Sequence, residues 1–273
     1  MKLINTELLN RFSQILGIVR RPPSVDALSE LVGAFMYRVP FENISKLLYK
    51  KRLSMTWLPD LGQYLDGIER YNFGGTCYAN NSALNCLLTH LGYDVRMCGA
   101  DMSDQDVHLV NLVRVDGREF LVDAGYAAPF VRPIPRDKAV DQVIALGRER
   151  YVLRPAGMNG CSRMDLYRDG DLVHGYTIKP TPRTIDHFAP IVAGSFVPES
   201  EFMKSVLVVR WYPNRSVAVR NLSVIVSEGA EYRIERLSGR DQLPEAIEKH
   251  FAIPREIVAE AVAGLDKLDR ATS

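Results

Sequence analysis

The chain has 273 residues, enough for one large packed unit or two to three smaller ones. Apolar residues make up 47% and charged residues 25%, an ordinary globular balance that excludes disordered and low-complexity classes. A net charge of +1 offers nothing to nucleic acid, and the longest apolar strings, such as 206–209, are far too short to cross a membrane.

In chain order, residues 6–16 read as an amphipathic helix with Leu8, Leu9, Phe12, Ile15 and Leu16 on one face. Arg20-Arg21-Pro22-Pro23 breaks it, and Ser24 caps a second helix carrying Leu28, Leu31, Val32, Phe35 and Met36. A third helical run, about 58–70, leads to Gly74-Gly75. Residues 79–91 place Ala83, Leu84, Leu87, Leu88 and Leu91 at helical spacing, and Gly92 stops them. From Asp94 onward the pattern is strand and hairpin. Strands are expected at 107–115 and 118–123 around Asp116-Gly117, and at 164–167 and 172–174 around Asp169-Gly170. More follow at 205–211, 216–219, 222–226 and 231–234, and then helices at 242–251 and 254–268. Helices, then strands, then helices, with no βαβ repetition, argue an α+β fold. The opening residues 1–7 lack a long apolar stretch, so no secretion signal is expected. Cys77, Cys86, Cys98 and Cys161 show no zinc-ligand spacing and fit a reducing cytosol, so the expected location is cytoplasmic and the expected metal is none.

Cys77 follows a Gly-Gly turn and opens a helix. Unpaired N–H groups and the helix dipole favour a thiolate there, as a nucleophile requires. A two-residue Asp116-Gly117 turn sets Val115 opposite Arg118. Val110 then lies opposite Asp123, and His108 is the diagonal neighbour of Asp123 on one face. Such a pair can form the Nδ1–H···carboxylate bond that fixes the tautomer of a catalytic imidazole. Taken singly, Cys77 reads more readily as a small core residue and His108 as a structural one, and register alone does not bring them together.

Gly74-Gly75-Thr76-Cys77-Tyr78-Ala79-Asn80-Asn81, His108-Leu109-Val110 and Leu121-Val122-Asp123-Ala124-Gly125-Tyr126 resemble the three catalytic motifs of arylamine N-acetyltransferases. Val39-Pro40-Phe41-Glu42-Asn43-Ile44, the segment Ser195 to Phe202 and the pair Arg220-Asn221 are similar to further elements of that family. The resemblance implies a helical N-terminal domain over 1–92 carrying the nucleophile, a β-barrel domain over 93–200 carrying His and Asp, and an α/β lid over 201–273. The catalytic core would be cysteine-protease-like. It implies that Cys77 takes an acetyl group from acetyl-coenzyme A, used as a cosubstrate with no bound cofactor. The thioester would then acylate an aromatic amine, hydrazine or N-hydroxyarylamine. His108 would activate the thiol, Asp123 would orient His108, and Phe41 and Tyr126 would line the acceptor pocket. An amide synthase, another acyl transfer on the same triad, and a non-catalytic binder of aromatic ligands are the alternatives.

The chain departs from the family pattern at several places, among them Thr76, which is smaller than the residue usual there. Phe73 stands where an arginine is usual, Ala79 where Glu or Gln is usual, and Ala127 where a further glycine is usual. With that arginine missing, Glu42 is expected to pair with Arg38 or Arg70, or else to meet water. Arg132, Arg136 and Lys138 form a small basic cluster that could meet coenzyme A phosphates or simply face solvent. His90, His174, His187 and His250 have no acidic partner at telling spacing and read as structural or surface residues.

Overall fold

The computed structural model describes residues 6–229, 231–265 and 268, and its contacts divide the chain into two compact units. Residues 1–5, and 266 and 267 of the last expected helix, lie outside the described residues.

The first unit comprises residues 1–38 and 80–188. Helix Val25–Arg38 buries the whole expected face, whereas in Thr6–Leu16 only Phe12 and Leu16 of the expected five are buried and Leu8, Leu9 and Ile15 are half-buried; Ser24 Oγ accepts from the Ala27 N–H at 3.1 Å as the expected cap. Its centre is an eight-stranded, nearly closed sheet. Strands His108–Val115 and Arg118–Val122 sit in the middle of one half and pair Asn111 with Val122 and Val115 with Arg118, the expected register. Asp116 and Gly117 have φ of 52° and 71°, both positive as a two-residue primed turn demands. Cys98, Val110, Leu112, Leu121, Phe130 and Tyr176 fill one face of the sheet. The other face of strand His108–Val115 meets the helix Cys77–His90. There Asn85 Nδ2 donates to Asn111 Oδ1 at 2.8 Å, and Asn111 Nδ2 donates to the Asn81 carbonyl at 3.0 Å. The helix ends at Gly92 (φ 87°) with Tyr93 N bonded to Leu88 O and Gly92 N to Thr89 O, the paired bonds of a glycine-terminated helix.

The second unit comprises residues 39–79 and 189–273. Strand Phe41–Glu42 joins the edge of a five-stranded antiparallel sheet through Leu207–Tyr212. Helices Ile44–Leu53, Leu243–Phe251 and Arg255–Val262 pack with the sheet residues Val206, Val208, Val217 and Val219 into one core. Helix Ile44–Leu53 was not anticipated. Its Ile44, Leu47 and Leu48 have helical spacing, but its second half is Lys50-Lys51-Arg52, and the short apolar stripe is masked by charge. Strands Gln142–Leu146 and Glu149–Leu153 carry no distinct sequence signal, being short and partly exposed.

Candidate active site

Asp123 follows directly on strand Arg118–Val122 and is buried, as is His108 at the start of its own strand. His108 Nε2 lies 2.8 Å from Asp123 Oδ2. The pair forms as the register implies, but through Nε2 and not through the Nδ1 expected from sequence. With the carboxylate accepting, Nε2 carries the proton and Nδ1 carries the lone pair in the neutral ring.

Three further groups grip the same carboxylate. Asn81 Nδ2 donates to Oδ1 at 2.9 Å, Gly125 N–H to Oδ1 at 2.8 Å, and the Tyr176 hydroxyl to Oδ2 at 2.7 Å. Burial alone would raise the pKa of Asp123. The charge of His108 and the bonds from His108, Asn81 and Tyr176 outweigh it and hold the carboxyl below its usual range. Asp123 is therefore a fixed anion that takes four hydrogen bonds. Asn81 is itself fixed, donating to the Leu109 carbonyl at 2.5 Å and accepting from Ala124 N–H at 2.8 Å. Asn81 and Tyr176 were not singled out from sequence. Asn81 was visible at one helical turn past Cys77, but Tyr176 lies 53 residues from Asp123 and only the sheet brings it near.

Tyr126 packs within 4.7 Å of the Tyr176 ring centroid and 5.9 Å of the His108 ring, and its hydroxyl meets His174 Nδ1 at 2.7 Å. His174 is exposed, as expected, and partners the expected substrate-binding tyrosine. Burial, the Arg163 guanidinium and His108 push its pKa down. His187 likewise has an acidic partner, Asp106, at 3.0 Å, which its spacing in the chain hid. Ala127, in place of the usual glycine, adopts φ 56°, a left-handed conformation that costs an L-residue about 1 kcal/mol. Arg136 is unavailable to coenzyme A, because its guanidinium is taken up by Glu119, Ser162 and the Gly160 carbonyl. Arg132 and Lys138 remain exposed.

In the second unit, Cys77 is the first residue of helix Cys77–His90 and is 9% exposed. The Gly-Gly turn before it is forced by packing. A Cβ on Gly74 would sit 2.0 Å from the Pro40 carbonyl oxygen. Gly75 bridges to Phe41 and accepts from Glu42 N–H at 3.1 Å, so the segment of Phe41 is fastened beside the residues that lead to Cys77. The Phe41 ring is buried and lies 5.9 Å from Phe202.

Glu42 is fully buried, and among the described residues no arginine pairs with it. It accepts from Ser45 N–H at 2.9 Å, Ser45 Oγ at 2.5 Å and Gly74 N–H at 3.1 Å, while Arg70 pairs across one helical turn with Asp66. Burial raises its pKa, with the bonds from Ser45, Gly74 and Ile44 opposing. Neutral donors do what the expected cation was to do. Phe73 lies in the apolar core of this unit against Tyr49 and Tyr71.

The family profile of N-acetyltransferases matches residues 24–258. Proansamycin X synthase of Amycolatopsis mediterranei is 32% identical over 126 residues, covering 42% of this chain and 47% of that protein. Human arylamine N-acetyltransferase 1 is 25% identical over 198 residues, covering 62% and 64%. The chain thus matches about half to two thirds of the length of these relatives. The solved arylamine N-acetyltransferase of Salmonella typhimurium superposes with a TM-score of 0.78 at 17% identity, over 95% of this chain and 99% of that one. The fold is the three-domain α+β fold of such proteins, with helices, a barrel-like sheet and an α/β lid. With the family profile matched over residues 24–258 and arylamine N-acetyltransferases among its relatives and structural neighbours, the chain belongs to the arylamine N-acetyltransferase family.

Proposed function

We propose that the protein transfers an acetyl group from acetyl-coenzyme A to an aromatic amine, hydrazine or N-hydroxyarylamine through a thioester on Cys77. The observation that carries this reading is the Asp123 cradle. A buried anion is held by four donors, one of them His108 Nε2, and another is Asn81 of the helix that Cys77 begins.

In the first half-reaction His108 Nδ1 takes the Cys77 proton. The thiolate attacks the acetyl carbonyl of the donor, the new C–S bond forms, and the coenzyme A thiolate leaves with a proton from the imidazolium. In the second, the amine nitrogen attacks the thioester, Nδ1 accepts a proton from it, and Cys77 leaves as the thiolate. Asp123 stays ionised throughout, fixes the Nε2–H tautomer and stabilises the imidazolium. Phe41 and Tyr126 serve as aromatic walls for the acceptor. The four cysteines are free, in keeping with a reducing cytosol, where we place the reaction. No described helix is long and apolar enough to cross a membrane.

A second reading is the amide synthase considered from the sequence, in which the thioester is a longer acyl chain and the amine is internal to the substrate; one relative at 32% identity is a synthase by name. Coenzyme A release followed with a thiol reagent tests the first reading. Acetyl-coenzyme A turnover should depend on added aromatic amine or hydrazine, and initial rates at several fixed acceptor concentrations should give the parallel double-reciprocal lines of a ping-pong scheme. Release independent of any acceptor would contradict it.

A further inference from the structure

The chain enters the strand of His108 through a strained residue. Asp106, just before Val107-His108, has φ 56°, a left-handed conformation that is unfavourable for an L-residue. A glycine would take the same φ without strain, so the side chain, and not the turn, accounts for an aspartate here. That side chain is buried and engaged through both oxygens. Lys179 Nζ stands 2.6 Å from Oδ1, and His187 Nε2 stands 3.0 Å from Oδ2. The Asp106 N–H donates to Asp101 Oδ1 at 2.8 Å, and Lys179 Nζ reaches the same oxygen at 2.7 Å. Burial would raise the pKa of Asp106. The bonds and charges of Lys179 and His187 outweigh it and hold the carboxyl below its usual range. A backbone strained in this way persists only where its surroundings over-determine it, and such places cluster at functional sites.

The neighbouring strand Asp94–Asp101 is shaped for this carboxylate. A Cβ on Gly99 would sit 1.8 Å from Asp106 Oδ1, so the side chain folds back onto backbone that only a glycine leaves open. Gly99 lies opposite Leu109 in the sheet, and Ala100 opposite His108. Lys179 comes from strand Asp171–Pro182, which pairs with Asp94–Asp101 on the side away from His108–Val115. His187 comes from the one-turn helix Ile185–Phe188 that follows. Asp106 thus ties two strands and a helical turn of one unit together at the point where the chain reaches His108, with Val107 alone between the tie and the imidazole-bearing residue. The backbone that carries His108 is pinned there, and the ring meets Asp123 through Nε2 from that fixed start.

We propose that Asp106 is a positioning residue for His108, its side chain pinning the entry of strand His108–Val115 so that the imidazole keeps its bond to Asp123. The consequence for acyl transfer rests on the transferase reading given above. The consequence for the His108 ring does not.

The test compares the wild type with Asp106→Gly, which keeps the turn and removes the tie, and Asp106→Asn, which keeps the shape and a hydrogen-bonding oxygen. Two readouts are taken under conditions where denaturant unfolding shows each variant to be folded. One is the single-turnover rate of Cys77 acetylation at saturating acetyl-coenzyme A. The other is the downfield proton resonance of His108 Nε2–H, assigned by its absence from His108→Gln. Asp106→Gly should slow acetylation about tenfold or more while the donor concentration for half-maximal rate stays within about twofold. It should also broaden or erase the resonance as the loosened ring proton exchanges with water. Asp106→Asn should recover the rate to within about threefold of wild type and restore the resonance. Wild-type rate and resonance in Asp106→Gly, with only the unfolding midpoint lowered, would reduce Asp106 to a structural tie and overturn the proposal. An asparagine variant no better than the glycine one also overturns it. If the wild type acetylates nothing, the transferase reading fails by itself and the His108 resonance alone decides this proposal. Should Asp106→Gly not fold, His187→Ala takes its place by removing an exposed partner of the same carboxylate, and an unchanged resonance there overturns the proposal.

Discussion

Asp123→Asn alters one atom of a carboxylate that accepts four hydrogen bonds. Oδ1 accepts from Asn81 Nδ2 and Gly125 N–H, and Oδ2 accepts from His108 Nε2 and Tyr176 OH. An amide can keep its oxygen toward only one of these pairs. Asn81 and Gly125 can only donate at these positions, so the oxygen stays with them and the NH2 turns to His108 and Tyr176. His108 must then present a lone pair at Nε2, which moves the ring proton to Nδ1, and the base that the thiol needs is gone. By the behaviour of other triads the rate falls about 10²- to 10⁴-fold. Tyr176 can rotate its hydroxyl to accept from the amide, so the stability loss is that of charge-assisted bonds weakened to neutral ones, on the order of 1–3 kcal/mol. Single-turnover acetylation of Cys77 by rapid quench and intact mass reads the first effect, and denaturant unfolding reads the second. A folded variant that acetylates within about fivefold of wild type would show that His108 is oriented by something other than Asp123.

Tyr176→Phe removes one of the two donors to Oδ2 and leaves the ring that packs on His108. The carboxylate becomes a stronger partner for the imidazolium, so the basic limb of the pH profile for Cys77 alkylation should move upward by about half a unit or more. An unchanged profile would reduce Tyr176 to packing. Glu42→Gln tests the buried acid of the second unit. Because burial raises the folded pKa of Glu42, the stability it contributes is fully present below its unfolded value of 4.5 and is lost as pH rises through the higher folded value. The glutamine variant should therefore show a smaller fall in Tm from pH 4.5 to 7 than the wild type. An equal fall would mean that some other group sets that slope.

Local signals reached as far as their physics allows. Ser24, Asp116-Gly117 and Gly92 could be read in place because each acts within a few residues, as a cap, a primed turn and a helix stop. The His108–Asp123 pairing was legible because a two-residue turn sets the register. The choice of Nε2 over Nδ1 depends on ring orientation, which no register specifies. Tyr176, His174 and His187 were missed as partners because each meets its contact from 48 to 81 residues away in the chain. Glu42 was misjudged for a different reason. Charge arithmetic looked for a cation, whereas the helix start after it supplies Ser45 N–H and Oγ, and the Gly-Gly turn supplies a third donor.

The central claim is that Cys77 carries the acyl group. Incubation with acetyl-coenzyme A in the absence of acceptor, followed by intact mass and peptide mapping, tests it most directly. The account predicts the mass of one acetyl group, located on Cys77, discharged by added aromatic amine and absent from folded Cys77→Ser. An unmodified wild-type chain, or an acetyl group that persists in Cys77→Ser, would contradict it.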